Sequence, residues 1–443
     1  MKNKQPSEKL IDTGKTVLIC LLFLSAVFLV FKAVAFDPNS FSTSLDSIFH
    51  GENSSGTGTG VKSNSLSVVT EPMYISVTNI DSVTNIDGSH YASKYDSANK
   101  SKLFTQFSSE LGEALGSAEK PVKISENEWR SALKSRGIFF DYLYPLPLSA
   151  IASFLGTQVN TDLSVFTARR LYLGGSADGS LHLYFIDESD SSIYRCSTVL
   201  NFQPLSNAIS ELPIGNSKFA FELGEEYALL DPYFILSEES NQIRAVSASN
   251  PIKDIPSGNA LMEIFSMNTR TASEYPEDDG SKVYVDGSKS LRIDSSGKVI
   301  FSVVGGDGLQ IPAAGNELTT DDCIAAALNI LQSSAGALSG DGKPSLSGAA
   351  ILSDTSSCTL NFSYSVAGIP VALPNGDYAA SFQISNGTIV RIEMLFRKYS
   401  YTGEYIYPMP EKMIAAIAKQ DGGEPVLIYN DSITTVNCTW KTY

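Results

Sequence analysis

Side chains able to do chemistry are few in this chain, and their spacing does not suit it. The histidines are His50, His90 and His182. His50 falls in a Ser/Gly-rich stretch, His90 follows a duplicated hexapeptide, and His182 alternates with Leu181 and Leu183 as on one face of a strand. Each reads as a satisfied or solvated histidine, not a general base. Ser-x-x-Lys, the spacing of an acylating serine and its lysine, occurs at Ser97 to Lys100, Ser131 to Lys134 and Ser295 to Lys298, with no Lys-Thr-Gly to complete the set. No His-Glu-x-x-His, Gly-x-Ser-x-Gly, Walker A or dinucleotide fingerprint is present. The acidic pair Asp321-Asp322 suits the first turn of a helix, where carboxylates meet the positive dipole end. Asp278-Asp279, followed by Gly280, reads as an exposed turn, and no EF-hand spacing occurs. The expectation is therefore no catalytic residue, no metal ligand and no cofactor.

Two other groups of residues invite a role. Tyr399, Tyr401, Tyr405 and Tyr407 form an aromatic stripe; such residues serve partner surfaces and sheet packing alike. Cys196, Cys323, Cys358 and Cys438 are spaced wrongly for a zinc ribbon or a C-x-x-C pair. In an oxidising compartment they allow up to two disulfides; Cys358 with Cys438 is the preferred pair, with buried free thiols as the alternative.

The elements that would hold these residues belong to a chain of 443 residues with 32 Lys+Arg, 48 Asp+Glu, a net charge of -16 and 43% hydrophobic content. That is globular composition with room for two or three domains. The acidic balance excludes nucleic acid as the main partner, since phosphates need a surplus of Lys and Arg. Thr16 to Phe31 carries no charge, and the apolar run resumes after Lys32 up to Phe36. It is long enough to cross a bilayer, with Lys32 able to snorkel. Lys2, Lys4, Lys9 and Lys15 against Glu8 and Asp12 keep the preceding arm in the cytoplasm. The reading is a single-pass cell-membrane protein with its bulk outside; cleavage after Ala33-Val34-Ala35, making the stretch a signal peptide, is the alternative. The 407 residues beyond Phe36 carry -19, because the first 36 hold five lysines and two acids.

Residues 1–15 thus form a cytoplasmic arm, 16–36 the anchor and 37–65 a Ser/Gly-rich linker unable to bury a core. Beyond it SVTNID occurs twice in tandem, Ser76 to Asp81 and Ser82 to Asp87. The exterior part divides into an N-terminal domain (66–250), a middle helix-plus-hairpin unit (251–305) and a C-terminal domain (306–443). Apolar residues at helical spacing (Phe104, Phe107, Leu111, Leu115) follow Ser97, and a second helix covers Glu126 to Arg136. Gly137 to Tyr144 reads as a strand stopped by Pro145 and Pro147, and a hairpin turns at Asp178-Gly179. Later, Thr320 caps a helix bearing Ile324, Ala327, Leu328 and Leu331, and Asn386-Gly387 predicts a type I′ turn. Helix followed by antiparallel hairpin, used repeatedly, predicts α+β layers.

This order of parts resembles the YycH/YycI family of bacterial accessory regulators. The resemblance lies in the N-terminal span, GIFFDYLYPLPLSAIASFLG (Gly137 to Gly156), VYVDGSKSLRIDSSGKVIF (Val283 to Phe301), and NFSYSVAGIPVAL (Asn361 to Leu373) with the Asn-Gly hairpin after it. It implies multi-lobed, cystatin-like sheet-and-helix units and a non-enzymatic regulator. Such a protein binds the sensor histidine kinase WalK beside a sister regulator. Ser25 and Ala26 would allow close helix approach within the bilayer, and the tyrosine stripe would supply an exterior contact. Competing readings are an anchored module that captures a peptide or small molecule, and an exterior hydrolase.

Overall fold

The computed structural model describes residues 71–80, 90–95, 97–215, 217–237, 242–254, 258–305, 308–313, 318–351, 357–418 and 423–443. The first sheet takes β1 (Tyr74–Thr78), β2 (His90–Lys94), β3 (Val122–Ile124), β4 (Gly137–Pro147), β5 (Thr167–Gly175), β6 (Ser180–Asp187), β7 (Ile193–Asn201), β8 (Ser217–Phe219) and β9 (Ile235–Ser237). They lie in the order β3-β7-β6-β5-β4-β1-β2-β8-β9. The helices of this half are α1 (Ser97–Ser117), α2 (Glu126–Leu133), α3 (Leu148–Phe154) and α4 (Phe202–Ser210).

Helices cover both faces of this sheet. On one side Phe104, Phe107, Leu111 and Leu115 of α1 pack with Ile138, Phe140, Leu171 and Leu173; on the other Trp129 and Leu133 of α2 meet Phe139, Tyr172 and Tyr184. That two-sided burial is why Gly137 to Tyr144 is apolar apart from Asp141 instead of alternating. The strand does not stop at the prolines. Its pairing with β5 lapses between Asp141 and Leu146 and resumes at Leu146 with Ala168, so Pro145 sits where no ladder asks for an N–H.

The remaining elements are β10 (Ile243–Ser249), α5 (Asn259–Ile264), β11 (Ser273–Pro276), β12 (Lys282–Asp286), β13 (Lys289–Ile293), β14 (Lys298–Val303), β15 (Leu309–Gln310), α6 (Thr320–Gln332), β16 (Gly342–Ile351), β17 (Ser357–Val366), β18 (Ile369–Ala372), β19 (Ala380–Ser385), β20 (Thr388–Leu395), β21 (Lys398–Ile406), α7 (Glu411–Ala418), β22 (Pro425–Asp431) and β23 (Val436–Thr442). Among the described residues, 12 of these strands form a second sheet: ten along the path β11-β12-β13-β14-β20-β19-β17-β18-β22-β23, with β15 paired to β20 and β16 to β17 beside it. β10 and β21 make a separate two-stranded ribbon. The second sheet is antiparallel except where β18 runs parallel to β22.

The expected middle unit at 251–305 and C-terminal domain at 306–443 share one sheet, because β14 pairs with β20 from Lys298 opposite Leu395 to Ser302 opposite Arg391. The α6 cap lies one residue earlier than expected. Thr319 accepts from the Asp322 N–H at 3.2 Å, and Asp322 accepts from the Thr319 N–H at 2.9 Å. Asn386 (φ 49°) and Gly387 (φ 74°) make the left-handed pair that a type I′ turn needs. Two 3-10 turns, Ala220–Glu222 and Glu225–Tyr227, precede the short edge strand β9. One apolar core runs from α1 through α3 to α6 and the second sheet, so the two sheets share buried surface. All described residues belong to one compact unit.

Candidate functional site

Successive strand residues point to opposite faces, so Arg169 and Arg170 of β5 ought to diverge. A bulge alters this. β5 pairs with β6 at Ala168–Asp187 and again at Leu171–Phe185, one residue out of step. Both guanidiniums reach Asp141 of β4: Arg169 Nε donates to Oδ1 at 2.6 Å and Arg170 Nε to Oδ2 at 3.0 Å. Both also reach Glu424, just before β22, at 2.8 and 3.0 Å. Arg170 Nη1 donates to Asp231 at 3.0 Å, and the Tyr74 hydroxyl donates to Glu424.

This cluster is shut away from water. Asp141 is 0% exposed, Glu424 4% and Arg170 7%. Burying each ion costs several kcal/mol, which close charge-assisted bonds must offset. Burial pushes the Glu424 carboxyl up, but the pull of Arg169 and Arg170 outweighs it and holds the group down at about 2. Burial, with Asp141 and Glu424 adding to it, pushes the Tyr74 phenol well above its usual range. The guanidinium N–H groups named above all end on acceptors within the protein, so the cluster fastens the first sheet to the segment before β22.

A second buried pair repeats the device. Lys94 of β2 meets Glu411 of α7 at 3.1 Å and donates to the Ile235 carbonyl, while Glu411 accepts from the Ser237 N–H at 2.8 Å. The sheet edge, a lysine and a helix thus share one carboxylate.

The tyrosine stripe splits. Tyr399 is fully buried, its hydroxyl donating to Asp431 at 3.0 Å beside the paired Arg397, whose Nη2 donates to Asp431 at 2.6 Å. That corrects its expected place on a partner surface: it faces inward opposite Ala248 of the ribbon, against Tyr364. Tyr401 is half-buried beneath Arg244, whose guanidinium sits 4.9 Å from the ring. Tyr405 and Tyr407 are 53% and 71% exposed. They continue into Met409, Met413 and Ile417, exposed by 42%, 55% and 55%. Met413 and Ile417 are four residues apart on α7 and share its outer face. This run of exposed apolar side chains was not anticipated beyond Tyr407; Met413 and Ile417 opposite buried Ala415 and Ala418 on one helix were its available signal.

Cys358 and Cys438 are free thiols, which replaces the preferred disulfide. They stand on β17 and β23, three strand steps apart along β17-β18-β22-β23, or about 14 Å at the usual spacing. A disulfide needs Cα atoms within about 7 Å. Burial pushes the Cys358 thiol up to about 11 and the Cys438 and Cys196 thiols to about 12.

His90 is fully buried on β2, with Nδ1 2.8 Å from the Thr78 hydroxyl and Nε2 2.7 Å from Glu222. His182 lies on β6, 3.4 Å from the Ser180 hydroxyl, and burial lowers its pKa. Asp321 and Asp322 occupy the first turn of α6 as expected, with Ser149 of α3 donating to Asp321 at 3.0 Å. Arg292 pairs with Glu277 and Asp279 across the exposed turn ending at Gly280. Among the described residues no cluster of three metal-ligating side chains occurs. Ser25, Ala26, Cys20 and His50, with the expected span and linker, lie outside the described residues, as does the second SVTNID copy. Among the described residues no helix is long and apolar enough to cross a membrane.

No family model matches the chain, and no curated protein does. The fold is similar to the crystal structure of YycH from Bacillus subtilis, with a TM-score of 0.57 over 86% of this chain and 96% of that one at 13% identity. The α+β fold expected from the resemblance is thus the fold observed.

Proposed function

We propose that this protein is a membrane-anchored exterior regulator that adjusts a sensor histidine kinase by binding it, alongside a sister protein of the same kind. The observation that carries the reading is the exposed strip Tyr405, Tyr407, Met409, Met413 and Ile417 on a body folded like YycH. Tyrosine and methionine are enriched where proteins meet, and an apolar run at the end of a ribbon is poorly placed for its own core. Regulation of this kind needs no turnover. It needs a difference in binding free energy between two kinase conformations. Anchoring by residues 16–36 would confine both proteins to one plane, with Ser25 and Ala26 allowing the spans to approach.

The test is photocrosslinking in intact membranes from a benzoyl-phenylalanine placed at Tyr407 or Met413, followed by identification of the captured protein. A sensor histidine kinase is the expected product. Capture of wall-synthesis enzymes alone, with no kinase, overturns the reading.

A further inference from the structure

The β22–β23 hairpin ends the second sheet, and the direction of each backbone group on its outer strand follows from the pairing. Glu424 and Tyr443 exchange both backbone hydrogen bonds, at 2.9 and 3.0 Å. Bonded and non-bonded pairs alternate along an antiparallel ladder. With the register unbroken from there to Val436, Lys441, Thr439 and Asn437 bond to β22, whereas Thr442, Trp440, Cys438 and Val436 turn their N–H and C=O groups away from it. Two details of β22 agree. Pro425, which has no N–H to give, lies opposite Thr442, and the Leu427 N–H, opposite Trp440, goes to the Tyr95 hydroxyl at 3.4 Å. Among the described residues no strand pairs with the outer side of β23.

Three features set this edge apart. The other ends of the two sheet paths are β3 and β9, three residues each, and β11, four residues closing on Pro276. Proteins shorten or interrupt edges that must stay unpaired, because a long row of free donors and acceptors invites another chain. β23 runs for seven residues with no proline or bulge, and Lys441 is its one charged side chain. Next, its faces differ. Val436, Cys438 and Trp440 pack against the buried cluster that holds Ile243, Val246 and Tyr429, while Asn437, Thr439 and Lys441 are exposed. A strand laid alongside would therefore continue an apolar face on one side and a polar face on the other. Finally, the edge adjoins the exposed strip, since the Trp440 indole donates to the Met409 carbonyl at 3.0 Å.

We propose that β23 is a docking edge, to which the partner engaged by the strip from Tyr405 to Ile417 adds an extended segment of about seven residues. The inference rests on the partner reading above and supplies its mode. The segment alternates, with apolar side chains on the side of Val436, Cys438 and Trp440 and polar ones on the side of Asn437, Thr439 and Lys441. Main-chain bonds to the outward groups of β23 hold it, and the alternation with the neighbouring Tyr407 and Met409 selects it.

The test repeats the crosslinking in intact membranes from benzoyl-phenylalanine at Met413, with Cys438→Pro and, separately, Thr442→Pro. Each proline removes an N–H that β22 does not use, so the urea midpoint should stay near wild type, whereas Thr439→Pro, which takes a bond from Ile428, should lower it. Kinase capture should fall about fivefold or more in both outward variants. Wild-type capture that survives both prolines overturns the docking edge and leaves the partner reading standing; absence of kinase capture in wild type removes both. Amide exchange read residue by residue gives a second measure. In the free protein Val436, Cys438, Trp440 and Thr442 should exchange fast and Asn437, Thr439 and Lys441 slowly, and in the captured complex the fast set should become protected. Protection of the fast set in the free protein, or none gained in the complex, overturns the proposal.

Discussion

Arg170 and Glu424, 254 positions apart, meet at 3.0 Å inside the protein, and Arg169 reaches the same carboxylate at 2.8 Å. Without Glu424, two guanidiniums would be left to the buried Asp141 and to Asp231, whose side chain is 26% exposed and reaches Arg170 at 3.0 Å.

Glu424→Ala should therefore destabilise the folded protein by about 3–5 kcal/mol, the usual cost of leaving one side of a buried ion pair uncompensated. Urea denaturation followed by tryptophan fluorescence measures it, Trp129 being fully buried beside Phe139 and Tyr172. A loss below about 1 kcal/mol would mean that water enters the junction.

The same residue sets an acid limit. The Glu424 pKa is depressed in the folded state to about 2, so its stabilisation is complete above the ordinary carboxylate range near 4.5 and fades as the pH falls towards 2. Chemical denaturation between pH 5 and 2.5 should show wild type losing stability more steeply than Glu424→Gln, which has no proton to take up there. Parallel curves would count against the assignment.

Tyr399 and Tyr407 should respond oppositely to substitution. Tyr399→Phe leaves part of the buried Asp431 carboxylate unbonded and should cost about 1–3 kcal/mol. Tyr407→Ser, at a position 71% exposed, should change stability by no more than about 0.5 kcal/mol yet weaken kinase capture in the crosslinking assay. If both destabilise alike, the outer strip is part of the body's own packing.

With thiols held near 11 to 12, Cys196, Cys358 and Cys438 carry almost no thiolate at pH 8. Alkylation by iodoacetamide, counted by mass, should be slow in the native protein and rapid in urea. Fast native labelling of Cys438 would place it at the surface.

What the sequence revealed was local. Helix α6 declared itself through Ile324, Ala327, Leu328 and Leu331 and its acidic first turn, and the β19–β20 hairpin through Asn386-Gly387, because these signals lie within a few residues of the element they specify. Pro145 misled, since proline forbids a ladder bond that this bulged strand never makes. The ribbon of β10 and β21 could not be read: its strands lie some 150 residues apart, and Tyr399 turns inward only because Asp431 waits there. The arginine cluster was hidden for a like reason. Arg169-Arg170 in sequence is an ordinary basic pair until a bulge turns both side chains to one side and three acids arrive from three distant segments.

Ribosomes deliver a polypeptide from its amino end, and here the two arginines emerge some 250 residues ahead of Glu424, with Asp141 made before them and Asp231 following 61 residues after Arg170. Until that glutamate follows, the first sheet holds two cations with incomplete neutralisation and its wall towards β22 stays wet. Closure of the junction is therefore a late event in biogenesis, and a nascent fragment stalled before it would present an open, charged flank that quality-control proteases can recognise.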